Sequence, residues 1–214
     1  RGTGGIGKSR LARWLLERAE ELGAALGLSA SFASGPRGGF ESMLRRLVLS
    51  GDLTGDALRD RLTRRLVEPG GPLRADEAAR LAELLEAADL EVEQMGNLLT
   101  RLLRHEAGGR AVVLWLDDLQ ASIDGAALAQ HLLDHGAKDG PFPVLVLATL
   151  RDDGDATPIA DELAHHPATV SHRLQALSEP ESATLMRSLL GLDRGLADRL
   201  AHRTHGHPLF AIQL

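Results

Sequence analysis

Gly2-Thr3-Gly4-Gly5-Ile6-Gly7-Lys8-Ser9 decides how this chain is read. The stretch fills the pattern G-x-x-x-x-G-K-[ST] without a gap. In such a loop, glycines free backbone N–H groups to wrap phosphate oxygens. The lysine reaches the outer phosphates and the hydroxyl can ligate Mg²⁺. A helix entering directly behind the loop adds the positive end of its dipole. Gly2, Thr3, Gly4, Gly5, Ile6, Gly7, Lys8, Ser9 and the adjoining Arg10 are therefore the candidate nucleotide contacts, with Ser9 also a candidate metal ligand. Composition sharpens the match. Of 24 Lys and Arg residues, Lys8 and Lys138 alone are lysines. A flexible stem with a compact charge suits this position better than a planar guanidinium.

Working outward, Leu11, Ala12, Leu15, Leu16, Ala19 and Leu22 form the i, i+4 stripe of an amphipathic helix. Ser29–Ala33 reads as a short strand and the Gly-rich run at 35–39 as a loop. Helical stretches follow at about 40–50, 56–67, 75–88 and 91–106. Ala111–Leu116 is apolar at every position, as expected of a strand buried on both faces of a parallel sheet. A helix over 123–135 leads to a second buried strand, Val144–Thr149. A weaker strand is expected near Thr169–Leu174, then helices at about 179–190 and 193–204. Alternating strands and helices mean an α/β fold with a mostly parallel sheet.

Two strand ends carry chemistry. Asp117 and Asp118 close the first all-apolar strand, and ligands of α/β sheets bind at the carboxyl ends of strands. One carboxylate there can hold Mg²⁺ together with Ser9, and the second can polarise a water. An Asp pair at such a place also serves as a turn and helix cap. Thr149 and Arg151 close the second buried strand, where a hydroxyl and a guanidinium can sense a terminal phosphate. The bland alternative for Arg151 is a surface arginine beside Asp152 and Asp153.

The bulk numbers exclude other classes. A net charge of −6 argues against a general nucleic-acid surface, and 3% aromatic residues with no Tyr argue against base-stacking platforms. The absence of Cys removes disulfides and thiolate metal sites. No apolar run approaches the length of a membrane span, and no signal peptide is apparent, which suits the cytoplasm. His131 and His135 are i, i+4 on a helix but lack a third ligand at suitable spacing, so surface or capping roles fit them better.

Together, GTGGIGKSRL at 2–11, VVLWLDDLQ at 112–120, VLVLATLRDD at 144–153 and GHPLF at 206–210 resemble the STAND-type signal-transduction ATPase module of the AAA-related P-loop NTPases. The resemblance covers nearly the whole chain. It implies ATP and Mg²⁺ as ligands, with Lys8 and Ser9 on phosphates and metal, Asp117 as the metal carboxylate and Asp118 in the catalytic-base position. It places Thr149 and Arg151 in a sensor region and Pro208 near the adenine. It implies a sheet of order 5-1-4-3-2 with a core over 1–174, a helical insert at about 40–106 and a helical lid starting at 175–214. The partners it implies are ATP and ADP, attached sensor and output domains of a longer chain, and a nucleotide-dependent homo-oligomer, without membrane or direct nucleic-acid contact. The chain reads Ala121-Ser122-Ile123 after Gln120 where the family often has Trp-Ala-Asp, and His207 where Asn is common.

Arg1 alone precedes the loop, so a central strand is expected to be missing from a fragment cut at both ends. About four large buried apolar residues in such a strand contribute roughly 6–12 kcal/mol. Whole domains hold only about 5–15 kcal/mol. These 214 residues alone are therefore expected to fold poorly.

Overall fold

The computed structural model describes residues 1–33, 38–86, 92–135, 142–152 and 157–213. The loop at residues 2–7 runs straight into α1 (Lys8–Glu21), whose N-terminal end carries no side-chain cap. Strand β1 (Ala25–Ser31) follows, then α2 (Gly38–Leu47), α3 (Gly55–Leu66), α4 (Ala75–Leu85) and α5 (Val92–Ala107). Strand β2 (Ala111–Asp117) leads through a short 3₁₀ turn at Leu119–Ala121 into α6 (Ile123–His135). Strand β3 (Val144–Ala148), α7 (Thr157–His165), α8 (Glu179–Leu190), α9 (Arg194–Thr204) and α10 (Pro208–Gln213) complete the order.

The three strands form one parallel sheet in the order β1-β2-β3. Being central, β2 buries every residue from Val112 to Leu116. Period-two alternation sorts the side chains to two faces. Leu28, Ala30, Val112, Leu114 and Leu116 turn to a large core shared with α2 to α6, with Val144, Val146 and Ala148 packed against it. Ala25, Val113, Trp115 and Leu147 turn the other way, onto Ala12 and Leu16 of α1. A separate apolar cluster, Ala183, Met186, Ala197, Ala201 and Ala211, holds α8, α9 and α10 together.

Several sequence expectations are corrected. His131 is not at the surface: it is 8% exposed, with its ring against Gly96 of α5. β1 begins at Ala25 and ends at Ser31, earlier than Ser29–Ala33, because Leu26 and Gly27 already pair with Val112 and Val113. β3 is not buried throughout. Leu145 is 50% exposed, since β3 has a full strand neighbour on one side and its Leu145 face is thinly covered. The expected strand at Thr169–Leu174 is an extended segment without a ladder. Its pairing is with Arg1, through Leu174 N–H to Arg1 O at 2.8 Å and the Arg1 amino group to His172 O at 2.6 Å, and Val170 is 77% exposed. The adjacent Gly2 makes a parallel bridge to Arg151, so Arg1 and Gly2 lie between the end of β3 and residues 172–174. Helices α7 and α10 were not foreseen; of the loop expected at 35–39, residues 35–37 lie outside the described residues, and Gly38 and Gly39 belong to α2.

Candidate functional site

The parallel register brings the carboxyl ends of β2 and β3 level with the start of α1. Leu116 pairs with Ala148, so Asp117 and Thr149 emerge side by side. Ser9, in the first turn of α1, donates its hydroxyl to Asp117 Oδ1 at 2.7 Å. Thr149, 6% exposed, donates its own hydroxyl to the same oxygen at 2.5 Å. Thr149 Oγ1 also accepts the Asp118 N–H at 3.3 Å. Asp117 is therefore oriented by two hydroxyls from two different elements.

Lys8 is buried, at 8% exposure, and its Nζ donates to the carbonyls of Gly2 and Thr3, each at 2.8 Å. The ammonium thus closes the loop on itself. An uncompensated buried cation would be expensive, and the loop's carbonyls offset that cost.

Asp118 sits at φ 54°, a left-handed conformation that a non-glycine residue adopts at a cost of about 1–3 kcal/mol. This turn directs its carboxylate to Arg151, whose Nε donates to Oδ1 at 3.1 Å and Nη2 to Oδ2 at 3.2 Å. Gln120 Nε2 donates to Oδ1 at 3.2 Å, and Gln120 Oε1 accepts the Arg151 N–H at 3.3 Å. Burial pushes the Asp118 carboxyl up. The hydrogen bonds from Arg151 and Gln120, with the charges of Arg151 and Lys8, outweigh burial and hold it below its ordinary value.

The last helices approach the loop from the other side. Gly5 has φ 74°, and a Cβ there would lie 2.7 Å from His207 Cε1 and 2.9 Å from Leu209 Cβ. Only a residue without a side chain admits the segment so closely. Pro208, the first residue of α10, thereby stands beside the loop, and the His207 ring stacks on Phe210 with centroids 4.6 Å apart. Gly206, at φ 74°, makes the turn that delivers this segment. A Cβ there would overlap the Leu177 carbonyl oxygen.

Of the residues singled out from sequence, the fold brings together Gly2, Thr3, Lys8, Ser9, Asp117, Asp118, Thr149 and Arg151 in one continuous set of hydrogen bonds and backbone pairings. Ile6 is buried beneath the loop, while Gly4 and Gly7 border open space. Arg10 is exposed on α1, outside the hydrogen-bonded set. Gln120 was not assigned a role from sequence, although its place two residues beyond Asp118 was the available signal.

Ser9 and Asp117 offer hard oxygen donors, which suit Mg²⁺. Among the described residues no group of three or more His, Asp or Glu gathers into a metal cage. Among the described residues no helix is long and apolar enough to cross a membrane.

No curated protein matches the chain. The glycine loop, the strand-end carboxylates and the parallel sheet that joins them do have a counterpart among protein families: residues 1–147 match the AAA ATPase domain, which is well over half of the 214 residues, and the chain belongs to this family of AAA-related P-loop NTPases.

Proposed function

We propose that the chain is a Mg²⁺-dependent ATP-binding and ATP-hydrolysing switch module of the STAND type, acting within a cytoplasmic signalling or transcription-regulatory protein. The observation that carries this reading is the double hydroxyl clamp on Asp117, from Ser9 of the glycine loop and Thr149 of the neighbouring strand. Two polar side chains aim one carboxylate beside a phosphate-binding loop, an arrangement suited to holding a cation.

In this reading the loop N–H groups and Lys8 bind the phosphates, Lys8 exchanging its bonds to Gly2 and Thr3 for phosphate oxygens. Ser9 and Asp117 hold Mg²⁺, which when bound neutralises phosphate charge and supplies Lewis acidity. Asp118 accepts a proton from the attacking water. Thr149 keeps Asp117 oriented, and Arg151 engages the γ-phosphate. Pro208 and its neighbours cover the adenine side.

We infer a sheet of order 5-1-4-3-2 on the same footing. β1, β2 and β3 take ranks 2, 3 and 4, and Arg1–Gly2 lies between β3 and residues 172–174. The core then spans 1–174 and the lid begins in 175–214, a split supported by the separate apolar cluster of α8 to α10. Contact of His207 and Leu209 with Gly5 gives the lid a direct view of the loop. Nucleotide would favour one arrangement of lid and core, and hydrolysis would release it.

The alternative is a non-hydrolysing scaffold in which ATP supports oligomerisation. The engagement of both Asp118 oxygens by Arg151 favours slow turnover and keeps this alternative in play. Asp118→Ala separates the two. Mg²⁺-dependent phosphate release that is lost in this variant with ATP binding retained supports the enzyme, and wild-type protein that binds ATP without releasing phosphate supports the scaffold. The switch itself fails if saturating ATP and ADP leave identical protease cleavage patterns in the lid of the full chain. Loss of Mg²⁺-dependent nucleotide binding in Lys8→Ala and Asp117→Asn is expected. Retention of wild-type affinity in both would sink the site assignment.

A further inference from the structure

Both oxygens of the Asp118 carboxylate are taken. Arg151 grips them in a two-pronged ion pair, and Gln120 adds a third bond to Oδ1. Oδ1 accepts two bonds and Oδ2 one, so the charge of the carboxylate is shared with a guanidinium and the group is a weak acceptor for a proton from water. The two partners are unequal. The Asp118 side chain is 15% exposed, and its backbone is fixed in a left-handed turn with the N–H on Thr149. The Arg151 side chain is 48% exposed. Its backbone pairs with Gly2, the first glycine of the phosphate loop. Arg151 is thus the half of the pair that can move without unpacking the core, and it stands beside the loop.

We propose that Arg151 is a latch on Asp118 that the γ-phosphate opens. This rests on the ATP-binding reading above and extends it to regulation of the same site. Without a γ-phosphate the guanidinium holds both carboxylate oxygens and neutralises their charge. With one, the guanidinium transfers to the phosphate. The exchange is nearly matched, because carboxylate and phosphate both accept two parallel N–H bonds from the planar fork. Gln120 stays behind, keeping Oδ1 tied to the β3 exit through the Arg151 N–H, and Oδ2, relieved of the guanidinium, accepts a water proton with its full charge. ADP carries no γ-phosphate and leaves the latch shut. Asp118 is then competent only when the substrate is present, and part of the binding energy of ATP is spent on opening the latch.

The test is a double-mutant cycle on affinity, in the full chain. Affinities for ADP and for a non-hydrolysable ATP analogue are measured by calorimetry in wild type, Asp118→Asn, Arg151→Gln and the double variant. With the latch present, Asp118→Asn weakens the hold on Arg151 and tightens the ATP analogue about five- to tenfold, the size of a modest coupling between sites. ADP affinity stays unchanged in all four proteins, which also reports that each is folded. In the Arg151→Gln background the same substitution gains less than about twofold. Simple removal of negative charge near the phosphates gives the opposite pattern, a gain equal or larger once Arg151 is gone, and that result overturns the latch. If Arg151→Gln loses ADP binding, Arg151→Lys replaces it, since a lysine keeps the charge but cannot grip two oxygens at once. Wild-type protein that binds neither nucleotide would overturn the ATP reading itself. Binding without coupling overturns the latch alone.

Discussion

Thr149→Val tests whether the hydroxyl clamp on Asp117 is a structural necessity as well as a functional one. Valine keeps the shape and branching of threonine, so packing at this buried position is preserved. What is lost is one hydroxyl that donates to Asp117 Oδ1 and accepts the Asp118 N–H. Loss of a hydrogen bond to a charged group costs about 1.5–3 kcal/mol, and a buried donor left unsatisfied costs about 1–3 kcal/mol. Two features reduce the total. Ser9 still donates to the same oxygen, and the 3.3 Å bond to Asp118 is long. The expected loss is about 2–4 kcal/mol, which for a chain of this size lowers Tm by about 5–15 °C. Thr149→Ser is the control, since it keeps the hydroxyl and removes one methyl, at about 1 kcal/mol. Thermal and urea unfolding of the two variants beside wild type supply the measurement. If valine is within about 0.5 kcal/mol of wild type, or serine is the more damaging, the clamp does not hold the site together.

Other expectations follow from single residues. Gly5→Ala places a methyl group against His207 and Leu209 at a positive φ, so the 207–209 segment is expected to leave the loop, seen as faster amide exchange in α10 with that of β2 unchanged. Gly206→Ala meets the Leu177 carbonyl directly and is expected to destabilise by more than about 2 kcal/mol, detaching α8 to α10; a wild-type Tm would contradict the turn geometry. At the start of α8, Ser178 Oγ and N–H both donate to Glu181, and these bonds hold its carboxyl below its ordinary value. That contribution is present above the ordinary carboxylate range and is lost as pH falls through the lowered folded value. Ser178→Ala is therefore expected to move the NMR titration midpoint of Glu181 upward, and an unmoved midpoint would rule the capping box out as its cause.

Much of the fold was legible because its signals are local. Glycine spacing, the uninterrupted apolar run of β2, and the 3.6-residue stripe of α1 each follow from the backbone geometry of a single segment. Errors arose where a neighbour decides. Val144–Ala148 has the composition of a buried strand, but burial of Leu145 depends on what packs over it. Thr169–Leu174 has strand-forming residues, but a strand needs a ladder. Pro208 begins a helix only because Gly206 turns the chain back toward the loop.

The site divides along the same line. A phosphate-type loop, a strand-end carboxylate pair and a strand-end Thr and Arg can be read from the residues directly, because each motif is contiguous. Their connections come from the folded chain. Thr149 bridges Asp117 and the Asp118 backbone, Arg151 and Gln120 hold the Asp118 carboxylate, and the His207 segment rests on Gly5. The physical reason is register. Pairing Leu116 with Ala148 sets Thr149 level with Asp117. A shift of one residue along β3 would turn its side chains to the opposite face and take Thr149 out of reach of Asp117.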